Sequence, residues 1–228
     1  MPRVVDLSTP ILSDHFRWPV QRELRKTHEA DGYQVTWLGT VVHGFTHIDA
    51  PRHFEPEGAT SDQLDLDTVV GEAAIVDVGA VGPDAPIEAR HMDAAGSHVR
   101  RGDIVLMRAG WDRVESIRTP AFWGRAPWMT TEAAEWLWER RVRAVGFDFP
   151  QDYCIRGFLT GAPHAPYEEN VTHWVLLRRG VILMEYLCNL HALTGNRTYL
   201  VALPIQLPQA DGAPARIIAL EEMSLRSG

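Results

Sequence analysis

Eight short segments rich in β-branched and other apolar residues constrain the fold of this chain more than any other feature. Each is bounded by Gly, Pro or Asp, as strands usually are. They cover residues 4–7, 33–42, 73–78, 103–108, 144–149, 181–187, 199–207 and 215–220. The 15 prolines and 18 glycines of the chain favour short elements over a helical bundle. We expect an α/β fold that is rich in strands and has a few packed helices.

Two segments have the apolar spacing of helices. In residues 131–143 a capping threonine precedes Glu132, and apolar side chains recur at helical intervals. The second segment covers about 166–179 and stops at Gly180, which suits the left-handed backbone at the end of a helix. No repeat or Ser/Gly-rich linker divides the sequence, so we expect one domain over residues 1–228.

The charge of the chain disfavours nucleic acid as a partner. The formal net charge is -8 at pH 7, whereas nucleic-acid binding requires clustered Lys and Arg to neutralise phosphates. No apolar run has the length of a membrane span, and the N-terminus lacks the hydrophobic stretch of a signal peptide. With 45% hydrophobic residues and 2 cysteines, the chain does not require a disulfide, and we expect a cytoplasmic protein.

The first candidate for a functional site is a cluster of three histidines and one aspartate, namely His43, His47, Asp49 and His53. All four positions are odd-numbered, so an extended chain would direct these side chains toward one side. Pro51 opposes a helix here. Imidazole nitrogens and a carboxylate form a ligand set that suits zinc, and also manganese, iron or cobalt. The segment therefore predicts a metal site.

A second contribution to this site is expected far downstream. Glu185 follows the apolar run 181–184, and a carboxylate in such a strand is costly to bury unless a cation or hydrogen bonds compensate it. His173 lies on the helix expected just before that strand, where it can reach the same place. The simpler interpretation is that Glu185 faces solvent at a strand end and that His173 has no special role.

These motifs resemble those of the cyclase family of metal hydrolases, which includes bacterial kynurenine formamidase and isatin hydrolase. The resemblance is carried by His43-x-x-Thr46-His47-x-Asp49-Ala50-Pro51-x-His53-Phe54 and by His173 with Glu185 twelve residues later. Compatible segments at 146–150 and 200–204 extend the likeness over most of the chain.

The resemblance implies a swivelling β/β/α domain, a homodimer or higher homo-oligomer, and two divalent ions, with Zn²⁺ favoured over Mn²⁺. It implies that His43, His47 and Asp49 hold the first ion and that His173 holds the second. Asp49 and Glu185 then bridge the two ions, and His53 becomes the catalytic proton shuttle.

Two residues are expected to contact the substrate. The resemblance matches Trp18 to an aromatic substrate contact of the formamidases. Phe45 stands where the family usually has Gly directly before the Thr-His pair, so the lining of the pocket differs here. The segments 149–154 and 156–167 also depart from the formamidase pattern and can reshape the mouth of the site.

The implied reaction is hydrolysis of an amide-type bond in a small, aromatic or cyclic molecule by metal-activated water. An aryl formamide such as N-formylkynurenine and a cyclic amide such as isatin fit this reaction. A cyclic ester or carbamoyl substrate is an alternative within the same family. His53 would take a proton from water and give it to the leaving nitrogen.

Two further classes of function stay open from the residues alone. A cysteine hydrolase could pair Cys154 with His164, since a thiolate activated by imidazole attacks carbonyl groups. The chain could instead carry a non-catalytic metal site, although structural zinc sites favour cysteine ligands and this cluster has none.

Overall fold

The computed structural model describes residues 2–221. Its strands are β1 (Arg3–Asp6), β2 (Val20–Lys26), β3 (Val35–Thr40), β4 (His47–Asp49), β5 (Val70–Asp77), β6 (Pro86–Ile87), β7 (Ile104–Arg108), β8 (Trp128–Met129), β9 (Ala144–Phe147), β10 (Ile182–Glu185), β11 (Arg197–Pro204) and β12 (Gly212–Glu221). Its α-helices are α1 (His28–Asp31), α2 (Ala89–Ala95), α3 (Pro120–Gly124), α4 (Thr131–Glu139) and α5 (Val171–Val175). Short 3₁₀ turns connect many of these elements.

Eight of the strands form one sheet in the order β1-β12-β11-β5-β7-β9-β10-β4, and β4 also pairs with β12. This extra pairing closes seven strands into a barrel. The eighth strand, β1, pairs with the C-terminal part of β12, beyond the residues that pair with β4, and contributes Val5 to the apolar cluster inside. The neighbours β5, β7, β9 and β10 run parallel, while β4, β11 and β12 are antiparallel to their neighbours. Closure leaves these seven strands without a free edge.

Successive residues along the strands alternate between two apolar clusters. One cluster receives side chains from all seven barrel strands and therefore fills the barrel; these include Ile48, Ile75, Leu106, Ala144, Met184, Leu200 and Ile217. The other lies outside the barrel, between the sheet and the helices; it includes Val105, Met107, Val145, Phe147, Leu137 and Leu183. Because the parallel strands are buried on both faces, their sequences are continuous apolar runs and do not alternate between apolar and polar residues.

Close packing at the barrel requires glycine at position 146 of β9. A Cβ atom built there would lie 2.6 Å from Cδ1 of Leu187 and 2.9 Å from Cδ2 of Leu106. Both distances are shorter than real Cβ contacts, so a side chain would force the neighbouring leucines apart.

The strands β2 and β3 form a separate two-stranded ribbon, which pairs with no other strand among residues 2–221. Most of its side chains are exposed, including the large apolar residues Leu24, Trp37 and Leu38. No helix of the described residues combines the length and apolar character of a membrane span.

The α/β class and its strand-rich character are confirmed, and each of the eight expected segments contains a strand of the main sheet or of the ribbon. The sequence did not predict β2, β4 or the short helices α1, α2 and α3. The helix expected over 131–143 ends at Glu139, and its capping residue is Thr130, whose hydroxyl accepts from the Ala133 N–H.

The continuous helix expected over about 166–179 is wrong. The segment consists of a 3₁₀ turn at Tyr167–Glu169, the helix α5 and a second turn at Leu177–Arg179. The break before α5 falls at Asn170, whose ψ of 72° is not helical. Gly180 does have the left-handed backbone expected of it, with φ at 88°.

The extended chain expected over 43–53 is also wrong. Only His47–Asp49 forms a strand, residues before it turn, and Pro51–His53 forms a 3₁₀ turn. The four polar side chains therefore meet because the chain bends on both sides of a three-residue strand. Their odd numbering explains a common direction only for His47 and Asp49, which lie within that strand.

Candidate metal centre

The site lies on the outer face of the barrel, where β4 pairs with β10. In this antiparallel register His47 stands opposite Glu185, and Asp49 stands opposite Leu183. Because the intervening Ile48 points into the barrel, the side chains of His47 and Asp49 must point outward. Glu185 shares that outward face. All three are buried, so three ionisable groups meet in a place that excludes most water.

The ring of His47 is held through its Nδ1 atom, which lies 2.8 Å from the carbonyl oxygen of Phe45. A carbonyl can only accept, so Nδ1 carries the hydrogen, and a neutral ring then has its lone pair at Nε2. That Nε2 atom lies 3.0 Å from Oδ1 of Asp49 and 3.7 Å from Oε2 of Glu185. Phe45 presents its carbonyl from a left-handed backbone with φ at 58°, a conformation that glycine adopts more readily.

His173, on α5, is held in the same way by a carboxylate. Its Nδ1 atom lies 2.6 Å from Oδ2 of Asp152, and Asp152 also accepts from the Thr172 N–H and hydroxyl. The opposite nitrogen, Nε2, lies 3.4 Å from Oδ2 of Asp49 and 3.3 Å from Oε1 of Glu185. The helix start and the histidine are thus fixed by one aspartate, and Nε2 is directed at two further carboxylates.

His43 lies between two acidic groups. Its Nδ1 atom is 2.6 Å from Oδ1 of Asp49, and its Nε2 atom is 2.8 Å from Oδ2 of Asp211. His53 stacks on the His43 ring with centroids 3.9 Å apart, and its Nδ1 atom is 3.5 Å from the same Asp211 oxygen. Asp211 is therefore the outer partner of both histidines.

The electrostatics of the cluster favour ionised carboxylates. Although burial alone would raise it, the imidazoles of His47, His173 and His43 hold the pKa of Asp49 well below its usual range. Burial and repulsion from Asp49 raise the pKa of Glu185, but the contacts with His173 outweigh them and lower it. The result is a pair of buried, negatively charged side chains that share one small space.

The pKa values of His43 and His53 are shifted in opposite directions. Burial lowers the pKa of His43, but the contacts with Asp49 and Asp211 dominate and raise it to about 9. Burial is the main cause of the lowered pKa of His53, which makes only distant contacts with acidic groups. His53 is therefore neutral at pH 7, whereas His43 without a metal ion is protonated.

The donor set fits a divalent cation. Within residues 2–221, Nε2 of His47 and Oδ2 of Asp49 are buried side-chain atoms without a hydrogen-bond partner. A divalent cation would satisfy a buried imidazole lone pair and a buried carboxylate oxygen together, and so offset the cost of burying both without a partner. Three groups of side chains have ligand atoms within 4.8 Å of one another. Two of them share Asp49, namely His43, His47 and Asp49, and Asp49, His173 and Glu185; the third, at the rim, is His43, His53 and Asp211. Each group mixes imidazole and carboxylate, a set typical of zinc or manganese.

The two residues expected to contact substrate, Trp18 and Phe45, lie in the aromatic core beside the site. They are 5% and 1% exposed, and their ring centroids are 4.8 Å apart. The Trp18 ring also packs on Tyr186, which lies beside the His47 ring. Their role as substrate contacts stays a prediction, since each presents very little surface to an incoming molecule.

An open cavity lies on the other side of the site. Phe54, which follows His53, has its ring centroid 4.6 Å from that of His173 and lines this cavity of about 550 Å³. Cys154 and His164 also line it. The Cys154 thiol bonds to Oδ1 of Asn170 at 3.2 Å, and burial together with Asp152 raises its pKa to about 11. A thiol with a raised pKa is a poor nucleophile, which disfavours the cysteine-hydrolase alternative.

Sequence analysis missed three residues of this site. Asp152 and Asp211 support the histidines, and the Gln151 amide donates to Glu185. Gln151 and Asp152 fall in the segment 149–154, whose only signal in the sequence is its departure from a family pattern. Asp211 has no signal in the sequence, because its approach to His43 depends on the closure of β12 onto β4.

A buried histidine–carboxylate cluster on the outer face of a closed α/β barrel is a site that can hold divalent cations, as metal-dependent hydrolases do. The model of the family described as putative cyclase matches residues 5–151. The chain belongs to this family.

Curated relatives match nearly the full chain. A protein of Bacillus thuringiensis (strain Al Hakam) named kynurenine formamidase is 27% identical over 219 residues, which covers 94% of this chain and 95% of that protein. The kynurenine formamidase of Bacillus anthracis is 26% identical over 219 residues, with 94% and 95% covered.

Solved structures agree with the fold. Isatin hydrolase A from Labrenzia aggregata, bound to benzyl benzoate, superposes with a TM-score of 0.79 at 22% identity and covers 97% of this chain and 94% of its own. A structure described as a potential metal-dependent hydrolase with cyclase activity has a TM-score of 0.72 at 25% identity, with 98% and 100% covered. The expected family and class of enzyme are thereby confirmed.

Proposed function

We propose that this chain hydrolyses an amide-type bond in a small aromatic or cyclic molecule, with an aryl formamide or a cyclic amide as substrate. One observation carries the proposal. The Nε2 atoms of His47 and His173 both face Asp49, while their Nδ1 atoms are fixed by Phe45 and Asp152. This tautomer arrangement is typical of metal-ligating histidines, whose second nitrogen donates to a carbonyl or carboxylate.

We assign one ion to His43, His47 and Asp49, and a second ion to His173, Asp49 and Glu185. The negative charges of Asp49 and Glu185 would offset part of the charge of the bound ions, which accounts for the burial of both carboxylates. Zinc fits this set best, and manganese also fits it. A divalent ion held there supplies Lewis-acid activation of a water molecule and of a carbonyl group.

His53 is proposed as the proton-transfer residue. Its side chain is 28% exposed at the rim of the cluster, and its ring, unlike those of His43 and His47, makes no hydrogen bond to the described residues. Because burial lowers its pKa, the ring is neutral at pH 7 and can accept a proton from the attacking water. The imidazolium then donates to the leaving nitrogen. Asp211, 3.5 Å from Nδ1 of His53, stabilises the charged ring in between.

The substrate class rests on the named relatives and on the neighbouring cavity. The names of the relatives, kynurenine formamidase and isatin hydrolase, both specify aromatic compounds. Here the cavity beside His173 is lined by Phe54, Phe158 and Tyr167, which suits a planar aromatic ring. N-formylkynurenine and isatin are the first compounds to assay.

We further propose that two copies of the chain associate through the ribbon of β2 and β3. Leu24, Val35, Trp37 and Leu38 are between 40% and 56% exposed on this ribbon. Leu24 and Leu38 share one face of the ribbon, and Val35 and Trp37 share the other. Apolar side chains exposed on both faces of a two-stranded ribbon favour a protein partner over water. Analytical ultracentrifugation of the wild type and of Trp37→Ser tests this proposal, and a monomeric wild type contradicts it.

The proposed function is tested by removing the metal and by replacing the thiol beside the site. Hydrolysis of N-formylkynurenine or isatin should be lost after dialysis against a chelator and return with zinc or manganese. Cys154→Ser removes the thiol but keeps the size of a side chain that lines the cavity, so the metal-loaded variant should stay active. Full activity after chelation, or loss of activity in Cys154→Ser, would contradict the proposal.

A further inference from the structure

The cavity beside the metal centre contrasts with the acidic character of the chain. The net charge is -8, yet no Asp or Glu is among the described residues that line this cavity. The basic side chains that line the cavity are Arg17 and His164, and most of the other lining residues are aromatic or aliphatic. A cavity of this composition attracts an anion with an apolar body.

Arg17 has an unusual environment. Its guanidinium carbon lies 4.2 Å from the ring centroid of Trp123 and 4.4 Å from that of Phe158. Among residues 2–221 its buried Nη1 atom has no hydrogen-bond acceptor. Most other half-buried arginines of the described residues have acidic partners, such as Arg108 with Asp77, although Nε of Arg143 and of Arg197 also lacks an acceptor. Stacking on the two rings fixes the guanidinium but leaves this hydrogen-bond donor unused.

A second unused donor lies in the same cluster. Nε1 of Trp123 is buried and has no acceptor within the described part of the chain. Trp123 is fully buried and does not line the cavity, so only the Arg17 donor can meet an acceptor from outside the chain. Buried N–H groups are nearly always bonded, and an unused donor on a side chain that lines a cavity indicates a place for such an acceptor. A carboxylate supplies two acceptor oxygens, and the planar guanidinium fork matches its geometry.

Arg17 lies close enough to the metal centre to act on the same molecule. The Trp123 ring beneath it is 5.1 Å from the ring of Tyr186, which in turn is 5.6 Å from that of His47. Phe54 lines the same cavity as Arg17 and contacts the His173 ring. The cavity therefore reaches from Arg17 to the edge of the metal centre.

We propose that Arg17 determines specificity by binding a carboxylate on the substrate, so that the enzyme acts on anionic aryl amides in preference to neutral ones. This inference rests on the proposed hydrolase function and names its substrate class. Arg17 binds the remote end of the substrate and leaves the bond-breaking steps to the residues of the metal centre.

The test compares two substrates that differ only in the carboxylate, 3-formamidobenzoate and formanilide. In Arg17→Met the KM for 3-formamidobenzoate should rise about tenfold to a hundredfold, because a charge-assisted hydrogen bond is lost. Its kcat and the kcat/KM for formanilide should stay near the wild-type values. Arg17→Lys should give an intermediate KM, since it keeps the charge but loses the fork. Equal losses on both substrates, or an unchanged preference, overturn the inference.

A matched control is Arg140→Met. Arg140 also stacks on a tryptophan, with its guanidinium carbon 3.4 Å from the centroid of Trp136, but it does not line the cavity. This variant should keep the wild-type KM for both compounds. A change equal to that of Arg17→Met would mean that stacked arginines act only through stability, and would overturn the inference.

A binding measurement separates this inference from the hydrolase function. Calorimetric titration of the metal-loaded protein with benzoate and with benzamide needs no turnover. Benzoate should bind wild type about tenfold or more tightly than it binds Arg17→Met, and benzamide should bind the two alike. If the wild type hydrolyses neither formamide but shows this difference, the proposed function fails and the anion site stands. If benzoate binds both proteins equally, the anion site fails.

Discussion

The Nδ1 atom of His173 donates to Oδ2 of Asp152 across 2.6 Å, and this bond leaves Nε2 facing the carboxylates of Asp49 and Glu185. Asp152 also accepts from the Thr172 backbone and hydroxyl, so the start of α5 and the histidine ring share one anchor. A histidine that is oriented this firmly would lose little entropy on binding the proposed metal ion.

Asp152→Asn should therefore weaken metal binding without unfolding the chain. The amide keeps the size of the side chain but removes the charge that fixes the His173 tautomer, and such changes typically reduce affinity or activity about 10- to 100-fold. Metal titration followed by activity assay measures the effect. The exposed Asp67 provides a matched control as Asp67→Asn, which should behave as wild type. Wild-type metal affinity in Asp152→Asn would contradict the anchoring role.

His53→Gln should retain its metal content and lose turnover. Glutamine forms hydrogen bonds at the rim but cannot exchange a proton near neutral pH, and proton transfer typically contributes about 10²- to 10⁴-fold to rate. Elemental analysis and kcat measured on the same sample distinguish the two properties. His28→Gln, at an exposed position on α1, is the control. Loss of metal in His53→Gln would make His53 a ligand instead.

Metal removal should lower the melting temperature. Asp49 and Glu185 are buried and repel each other, so a cation bound between them stabilises the native state. At a hundredfold excess over Kd the gain is about 2.7 kcal/mol, which corresponds to roughly 5–10 °C for a chain of this size. Calorimetry with and without added zinc or manganese measures the shift. Asp49→Asn should show a much smaller shift, and an equal one would contradict the ligand assignment.

Asp148 should make stability fall as pH rises toward neutrality. Burial raises its pKa to about 7, although the N–H groups of Ala109 and Gly110 donate to it. A folded-state pKa above the ordinary value means that the protonated form stabilises the fold, so this contribution is complete below about 4 and is lost as pH rises through about 7.

Asp148→Asn removes this titration. Urea unfolding at several pH values should give a wild-type free energy of unfolding that declines between about pH 4 and 8 relative to that of the variant. Contributions from other groups cancel in the difference. Parallel curves for the two proteins would show that Asp148 keeps the same pKa in the folded and unfolded states.

Local signals explain which elements were predictable. The strands β5, β7, β9 and β10 are short apolar runs between turn residues. They could be predicted because both faces of these strands are buried, so nearly every position in them is apolar. The exposed strand β2 has the sequence Val-Gln-Arg-Glu-Leu-Arg-Lys, which lacks such a pattern because it faces no core. Helical spacing over 166–179 failed to predict the break at Asn170, since α5 is held by tertiary bonds to Asp152.

Some residues of the candidate site could also be predicted from the sequence, and others could not. Asp49 and the three histidines near it are visible as a dense local cluster, and Glu185 is visible as a charge after an apolar run. Asp152 and Asp211 are ordinary aspartates in the sequence, and only their distances to His173 and His43 distinguish them. Arg17 also has no distinguishing signal in the sequence. Its unused hydrogen-bond donor can be recognised only from the contacts that the side chain makes in the folded protein.

The pairing of β4 with both β10 and β12 has a consequence for when the proposed metal site can form. Asp49 and His47 stand on a three-residue strand that has neighbours from two distant parts of the chain. A nascent chain still lacking residues 212–221 has no second neighbour for β4 and no Asp211 held beside His43. The proposed site is therefore complete only after β12 has emerged from the ribosome.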